Sequence, residues 1–184
     1  MTMSSNKIIV QNMVCPRCSE SIERTLNKLK INFDSVSIGE IKFSEKINAN
    51  LLVELEQKLN EKGFTILKDE KLIILEKVKN LIHVKVANMT FSSEKFSDEI
   101  SKNLGYNYSY VSRVFSANTG LTIEKYLLKC KIDKVKELIK FQKFSIKEIA
   151  YLLDYNSLSH LSNHFKRETG MTPSQFKKNI SLLK

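Results

Sequence analysis

One motif occurs twice in this chain, about fifty residues apart, and it constrains the fold more than any other feature. The first copy spans residues 104–122 and the second spans residues 153–172. With one extra residue allowed in the second copy, Ser112, Phe115, Thr119, Gly120 and Thr122 fall on Ser162, Phe165, Thr169, Gly170 and Thr172. A duplicated helical unit with one polar face suits a ligand that is itself periodic, and double-stranded DNA is the obvious candidate.

Positive charge is concentrated in the C-terminal part of the chain, whose 184 residues carry a net charge of +10. Residues 1–69 hold ten basic and nine acidic side chains, whereas residues 70–184 hold twenty basic and eleven acidic ones. A polyanion would therefore meet the second segment rather than the first. Because excess lysine also solubilises helices, charge alone leaves both interpretations open.

Composition argues against several other classes of protein. Three cysteines, an odd number, do not suit a disulfide scaffold. No apolar run approaches the roughly 18 residues that a membrane span requires. The N-terminus lacks the apolar region and cleavage site of a signal peptide, so we expect a cytoplasmic protein with reduced thiols and no membrane partner. We expect no enzymatic activity, because neither a nucleophile–base set nor a phosphate loop is visible.

The N-terminal segment is predicted to alternate strands with helices. Gly39 interrupts the second strand region, and we favour one strand with a bulge over a very tight hairpin. The predicted order is strand 7–13, helix from Pro16, strand 35–43, helix 51–62 and strand 64–67. This order describes a small α/β domain with its helices on one face of the sheet.

From about residue 70 onward the pattern is helical almost throughout. Residues 71–86 are predicted to form a helix that links the domains. Each copy of the motif is then expected to form a short helix, a tight turn and a second helix, which is a helix-turn-helix unit. The predicted helices are 97–104 and 108–118 in the first unit, 145–153 and 157–168 in the second, and 122–141 between them.

The second helix of each unit is predicted to read base edges in the major groove. Arg113 can bond a guanine through two hydrogen bonds, and Asn163 can bond an adenine in the same way. The remaining outward positions that we expect to approach bases are Tyr108, Ser109, Ser112, Ser157 and Ser162. Phosphate contacts, which position a protein without specifying sequence, are expected from Ser116, Lys147 and Lys166.

Residues 92–180 resemble the DNA-binding domain of AraC/XylS-type transcription regulators. The most specific stretch runs from Ser145 to Phe176, in which Ile149, Ala150, Phe165, Gly170 and Pro173 match the family signature. The resemblance implies a sequence-specific bacterial transcription factor. Asp154 stands where the family has a turn glycine, and we expect it to adopt a left-handed conformation. His160-Leu161 stands where the family usually has an aromatic pair.

Two pairs of side chains raise the question of metal binding. His160 and His164 lie one helical turn apart, but no third ligand is near in sequence. We therefore expect these side chains to pack against neighbours or to face solvent. Cys15 and Cys18 lie between the first strand and the first helix, where two thiolates can converge on a soft ion. The same two cysteines could instead cycle between dithiol and disulfide, or simply pack. Cys130 is expected to be an inert buried thiol.

Residues 7–68 resemble the heavy-metal-associated domain, whose metal loop reads Met-x-Cys-x-x-Cys. The resemblance implies a ferredoxin-like fold, Cys15 and Cys18 as ligands of Cu(I) or Zn(II), and Met13 as a packing residue. The chain differs from that family in having Asn12 where a glycine is typical. It also has too few residues between the two helices for two full strands. We therefore predict a βαβαβ order, with βαββαβ as the alternative.

Together these observations predict an α+β protein. Its expected domains are a heavy-metal-associated-like domain (1–69), a linker helix and connection (70–91) and an AraC-type double helix-turn-helix domain (92–184). The predicted function is transcription regulation through double-stranded DNA, with a response to a soft metal ion or to thiol redox state through Cys15 and Cys18. The alternative is a metal-trafficking or thiol-redox protein with a helical protein-docking module. The sequence leaves a homodimer open.

Overall fold

The computed structural model describes residues 6–91 and 94–181. The chain divides into two compact units, a first unit of Met1–Asn80 and a second unit of Leu81–Lys184. The first unit contains β1 (Lys7–Gln11), α1 (Pro16–Lys28), β2 (Phe33–Ser37), β3 (Glu40–Phe43), α2 (Ala49–Asn60) and β4 (Thr65–Leu67). Helix α3 (Glu70–Asn88) contains the boundary between the units.

The second unit is helical throughout the residues that the structure describes. After the C-terminal part of α3 it contains α4 (Phe96–Leu104), α5 (Tyr108–Thr119), α6 (Ile123–Phe141), α7 (Ile146–Leu152), α8 (Leu158–Thr169) and α9 (Pro173–Ser181). These helices agree closely with those predicted from the periodicity of the sequence. None of the described helices combines the length and the apolar character that crossing a membrane requires.

The first unit is built on a sheet of four strands in the order β2-β3-β1-β4. All three pairings are antiparallel, with Ile8 opposite Ile41 and Val10 opposite Ile66 on either side of β1. The prediction of three strands in a βαβαβ order is therefore wrong. The observed order, βαββαβ, is the alternative that the short segment between the helices had made less favoured.

The difference arises at Gly39, where we favoured a bulge within a single strand. Instead, β2 and β3 form a hairpin with Ser37 opposite Glu40, so that only Ile38 and Gly39 form the turn. Gly39 has φ +84°, a left-handed value that glycine adopts without a steric penalty. The register irregularity of this hairpin lies within β2, between Phe33 and Ser35.

The core of the first unit is formed by apolar side chains from its sheet and from helices α1 and α2. Five of them are each no more than 6% exposed: Val10, Ile22, Leu26, Leu55 and Phe64. Ile22 and Leu26 lie one turn apart on α1, so the same face of that helix meets the sheet.

The first part of α3 lies against the loop ends of this sheet. Asn80 packs so closely on Gly39 that a Cβ at that position would lie 1.7 Å from the Asn80 side-chain nitrogen. Glu76 is buried, and this burial raises the pKa of its carboxyl group while a hydrogen bond with the Asn12 backbone opposes the rise. Both contacts lie within the first unit.

Candidate nucleic-acid interface and thiol pair

Two helix pairs in the second unit have the geometry of helix-turn-helix units. In the first, α4 ends at Gly105, which has φ +74° and whose amide donates to the carbonyl of Ser101. In the second, the amide of Tyr155 donates to the carbonyl of Ala150 and the amide of Asp154 to that of Tyr151. This pattern is a Schellman motif, which requires a left-handed residue at Asp154, and its φ is +54°. The expected left-handed conformation of Asp154 is confirmed.

The duplicated Thr-Gly residues form the same turn after α5 and after α8. The Thr119 hydroxyl donates to the Phe115 carbonyl at 2.8 Å, and the Thr169 hydroxyl donates to the Phe165 carbonyl at 2.7 Å. Gly120 and Gly170 both follow in left-handed conformations, at φ +70° and +81°. This part of the repeat therefore ends the second helix of each unit and starts the next helix.

Helix α5 presents polar side chains outward over an apolar inner face. Its N-cap is Asn107, whose side chain accepts from the Ser109 amide at 2.8 Å. The inner face buries Val111, Val114 and Phe115. Of the predicted DNA contacts, Ser109 and Arg113 are exposed, whereas Ser112 and Ser116 are half-buried. Nε of Arg113 donates to the Ser109 carbonyl oxygen at 3.4 Å, and this contact directs the side chain along the helix.

Tyr108 makes a contact that the sequence did not reveal. Its hydroxyl donates a hydrogen bond to the Glu124 carboxylate in the first turn of α6. Burial and this carboxylate raise the pKa of Tyr108, and the hydrogen bond lowers the pKa of Glu124. The half-buried phenol is thus held by α6, and only part of its surface is available to a base.

Helix α8 repeats the arrangement of α5. Its N-cap is Ser157, whose hydroxyl oxygen accepts from the His160 amide at 3.0 Å and whose proton can still be donated to an acceptor on a ligand. Leu161 and Phe165 are buried on the inner face. The predicted contacts Asn163 and Lys166 are exposed on α8, Lys147 is exposed on α7, and Ser162 is half-buried.

Sequence reasoning missed one further candidate on this face. Arg167 lies four residues after Asn163, so the two side chains share one side of α8. The Arg167 side chain is 69% exposed and its Nε donates to the Glu168 carboxylate at 3.4 Å. The four-residue spacing from Asn163 was the signal that could have found it.

The two histidines of α8 have separate environments. His164 is buried, with its Nδ1 2.9 Å from the Tyr155 hydroxyl, whereas His160 is exposed and meets the same tyrosine ring edge-on. Among residues 6–91 and 94–181, no three histidine, cysteine or acidic side chains are grouped so that they could hold a metal ion.

The first unit places the two cysteines of the Cys-x-x-Cys segment together. Cys15 is the N-cap of α1, and its sulfur lies 3.4 Å from that of Cys18. Although burial raises the pKa of Cys18, hydrogen bonds from the Val14 backbone, the Cys15 thiol and the Cys15 backbone outweigh it and lower that pKa. Cys130, in the second unit, is different, because burial and nearby Asp133 raise its pKa to about 11. Cys18 therefore forms a thiolate more readily than Cys130 does.

The neighbours of the thiol pair fix the loop that carries it. Asn12 has φ +73°, a left-handed value that glycine adopts without a steric penalty, and its side chain donates to the Gly63 carbonyl at 2.9 Å. Met13 is only 1% exposed, and its sulfur accepts from the Gly39 amide at 3.3 Å. Met13 is thus a packing residue, as expected.

Comparison with known proteins agrees with this geometry. A family model described as a helix-turn-helix domain matches residues 100–179. The chain is 29% identical over 106 residues to the Msm operon regulatory protein of Streptococcus mutans, covering 58% of this chain and 36% of that protein. It thus spans about a third of the length of that relative.

Two further comparisons extend the picture. An HTH-type transcriptional regulator in the cgkA 5′ region of Pseudoalteromonas carrageenovora is 27% identical over 156 residues, which cover 82% of this chain and 90% of that protein. The crystal structure of an AraC-type transcriptional regulator from Chromobacterium violaceum superposes with a TM-score of 0.50 at 21% identity, over 58% of this chain and 91% of that chain. Residues 100–179 therefore match a helix-turn-helix domain, and the C-terminal region shares its fold with that AraC-type structure.

Proposed function

We propose that this protein is a transcription regulator that binds double-stranded DNA in a sequence-specific way through α5 and α8. The observation that carries the proposal is the repeated geometry of the two units. Each offers exposed polar side chains on a helix whose opposite face is buried: Ser109 and Arg113 on α5, Asn163 and Lys166 on α8. Arginine and asparagine are the side chains that most often bond guanine and adenine edges.

The length of α6 supports simultaneous use of both units. Its 19 residues extend about 28 Å at 1.5 Å per residue. Successive major grooves on one face of a duplex are about 34 Å apart. Two helices held near the ends of α6 can therefore enter neighbouring grooves, with the predicted phosphate contacts of Ser116, Lys147 and Lys166 between and beside them.

Selection of bound sites from a random pool of DNA duplexes tests this proposal. We expect one enriched motif, bound with an affinity that falls steeply as salt rises, because lysine contacts release counterions from phosphates. The variant carrying both Arg113→Ala and Asn163→Ala is the matched control and should enrich no motif while keeping weak binding. Enrichment of nothing by the unmodified protein, at low and at moderate salt, would contradict the proposal.

A second proposal concerns the first unit, which we infer to be a ferredoxin-like, heavy-metal-associated-like domain that holds a soft metal ion, Cu(I) or Zn(II), through Cys15 and Cys18. The order β2-β3-β1-β4 and the placement of the thiols at the start of α1 support it. The sulfurs are 3.4 Å apart, within the roughly 4.6 Å that two metal–sulfur bonds of 2.3 Å can span. The lowered pKa of Cys18 favours the thiolate that such a metal requires.

Titration of the reduced protein with Cu(I) and with Zn(II), with and without DNA, tests this second proposal. The variant carrying Cys15→Ser and Cys18→Ser should lose stoichiometric binding and keep its fold, and Cys130→Ser should keep both. Equal metal binding by the double serine variant would remove the metal site and favour a redox pair. Metal binding without any DNA binding would favour the alternative of a metal-trafficking or thiol-redox protein.

A further inference from the structure

A buried lysine with an unusual set of neighbours lies beneath the second helix-turn-helix unit. Lys131, on α6, is only 7% exposed. Its ammonium nitrogen lies 4.2 Å from the centre of the Phe91 ring and 5.4 Å from that of the Tyr155 ring. The same nitrogen lies 3.4 Å from the Asp154 carbonyl oxygen, to which it donates. Lys131 is not one of the residues proposed to contact DNA.

The carbonyl that Lys131 reaches belongs to a non-glycine residue in a left-handed backbone conformation. Asp154 has φ +54° in the turn between α7 and α8. The corresponding turn of the first helix-turn-helix unit, between α4 and α5, has Gly105 at φ +74°. A left-handed residue with a Cβ is less favourable than glycine. The turn of the second helix-turn-helix unit therefore needs a support that the turn of the first helix-turn-helix unit does not need.

The turn is connected to the helix that is proposed to read DNA. Tyr155 follows Asp154 directly, its hydroxyl bonds the buried His164, and its ring meets that of His160 at 5.3 Å between centroids. Both histidines lie on α8, so the position of the Tyr155 ring and the orientation of α8 are set together. Lys131 contacts both residues of this turn.

We propose that Lys131 is a positioning residue for DNA binding: it holds the Asp154–Tyr155 turn in its left-handed conformation and thereby fixes the orientation of α8. This inference rests on the proposed function of α8 as a base-reading helix. Lys131 itself touches no base and acts only through the turn.

The cost of burying Lys131 supports a role in orientation over one in overall stability. Burial lowers the pKa of Lys131, which the Asp154 carboxylate opposes, so the charged form is less favourable here than in water. Buried charges can often be replaced by apolar side chains with little loss of stability. A site that is displaced by about 1 Å, in contrast, loses much of its function.

The first test measures affinity for two sets of DNA duplexes. One set carries the selected motif. The other carries the same motif with the part read by α5 scrambled, so that α8 alone can read bases. Lys131→Met should weaken binding to that set about fivefold or more, a size expected for a misplaced helix. Adding Asp154→Gly should restore the affinity to within about twofold, because glycine keeps the left-handed turn unaided. The control Lys129→Met removes an exposed lysine from the same helix and should change little.

Two results of this test would overturn the inference. Unchanged affinity of Lys131→Met would show that the turn does not depend on the lysine. Weakened affinity without rescue by Asp154→Gly would show that Lys131 acts by packing alone.

A second test needs no DNA and separates failure of this inference from failure of the proposed function. It measures the unfolding equilibrium constant of a double-mutant cycle between Lys131→Met and Asp154→Gly. The stabilisation from Asp154→Gly should be about threefold or more larger, as a ratio of constants, in the Lys131→Met background. An equal gain in both backgrounds overturns the inference even if the protein binds DNA. A larger gain in the Lys131→Met background upholds the support of the turn even if the protein binds none, provided that it exceeds the coupling of Asp154→Asn, which removes the carboxylate and keeps the Cβ.

Discussion

The hydroxyl of Tyr155 lies 2.9 Å from Nδ1 of His164, and both side chains are buried in the core of the second helix-turn-helix unit. This contact gives His164 a hydrogen-bond partner inside the core. Burial lowers the pKa of His164, because the positively charged imidazolium is poorly solvated there.

We predict that the second helix-turn-helix unit loses stability as pH falls. Burial lowers the pKa of His164 below its ordinary value of 6.5, and nearby Arg167 lowers it further. The unfolded chain therefore takes up a proton near pH 6.5 while the folded chain resists it, so stability is fully present above that pH and is lost as pH falls through the lower, folded-state pKa. Urea unfolding at several pH values should show this loss, and His164→Gln should reduce it.

The exposed histidine provides the control for this prediction. His160→Gln keeps the Tyr155–His164 hydrogen bond and removes only one of the smaller causes of the lowered His164 pKa, so it should preserve most of the pH dependence of the unmodified protein. If His164→Gln and the unmodified protein lost stability in parallel between pH 7 and pH 5, the acid sensitivity would belong to other groups.

Replacing Gly39 by alanine should destabilise the first unit more than the same change at Gly63 does. It adds a Cβ at φ +84° and 1.7 Å from the Asn80 side-chain nitrogen. We expect a loss of about 2–3 kcal/mol in the free energy of unfolding, from the left-handed backbone and from displacement of Asn80. Gly63→Ala is the matched control, because its φ is +81° but its Cβ would meet nothing within 4 Å. That control should cost about 1 kcal/mol, and equal losses would show that Asn80 is not a constraint.

The contrast between α8 and Gly39 shows which parts of this protein its sequence could predict. Helices α5 and α8 were predictable because their apolar residues repeat at helical spacing and because capping residues and left-handed glycines bound them. The turn at Gly39 was not, because Ile38-Gly39 lacks the Asn-Gly or Asp-Gly pair that marks a two-residue hairpin.

Contacts between distant parts of the chain were also hidden from the sequence. Nothing local indicates that Tyr108 bonds Glu124, or that Lys131 reaches the Asp154 carbonyl 23 residues later. The outward positions of the candidate interface followed from periodicity, whereas the bonds that hold them depend on how α6 packs.

Arg113→Ala should weaken specific DNA binding by about 1–3 kcal/mol and relax base choice at one position of the motif. Arg113 is exposed on the outward face of α5, where its guanidinium can reach a guanine edge. Repeating the site selection with the variant measures both effects. Arg24→Ala, which removes a 77% exposed arginine from the first unit, should leave the motif and its affinity intact. An unchanged motif in the Arg113 variant would mean that α5 does not read bases through this side chain.

Lys166→Ala should weaken binding to all DNA sequences by a similar factor and make the dependence of log K on log salt shallower by about one unit. The reason is that an exposed lysine in the last turn of α8 is suited to neutralise one phosphate. Affinities measured between low and moderate salt provide the slope, and Lys46→Ala, in the first unit, provides a control of equal charge. A slope that matches this control would show that Lys166 touches no phosphate.

The most direct test of the account is hydroxyl-radical footprinting of the full chain on its selected DNA site. Because α5 and α8 are separated by a helix of 19 residues, we predict two protected windows on one face of the duplex, about 10 base pairs apart. Arg113→Ala should weaken one window and Asn163→Ala the other. A single protected window, unaffected by one of these two substitutions, would contradict the claim that both units read DNA together.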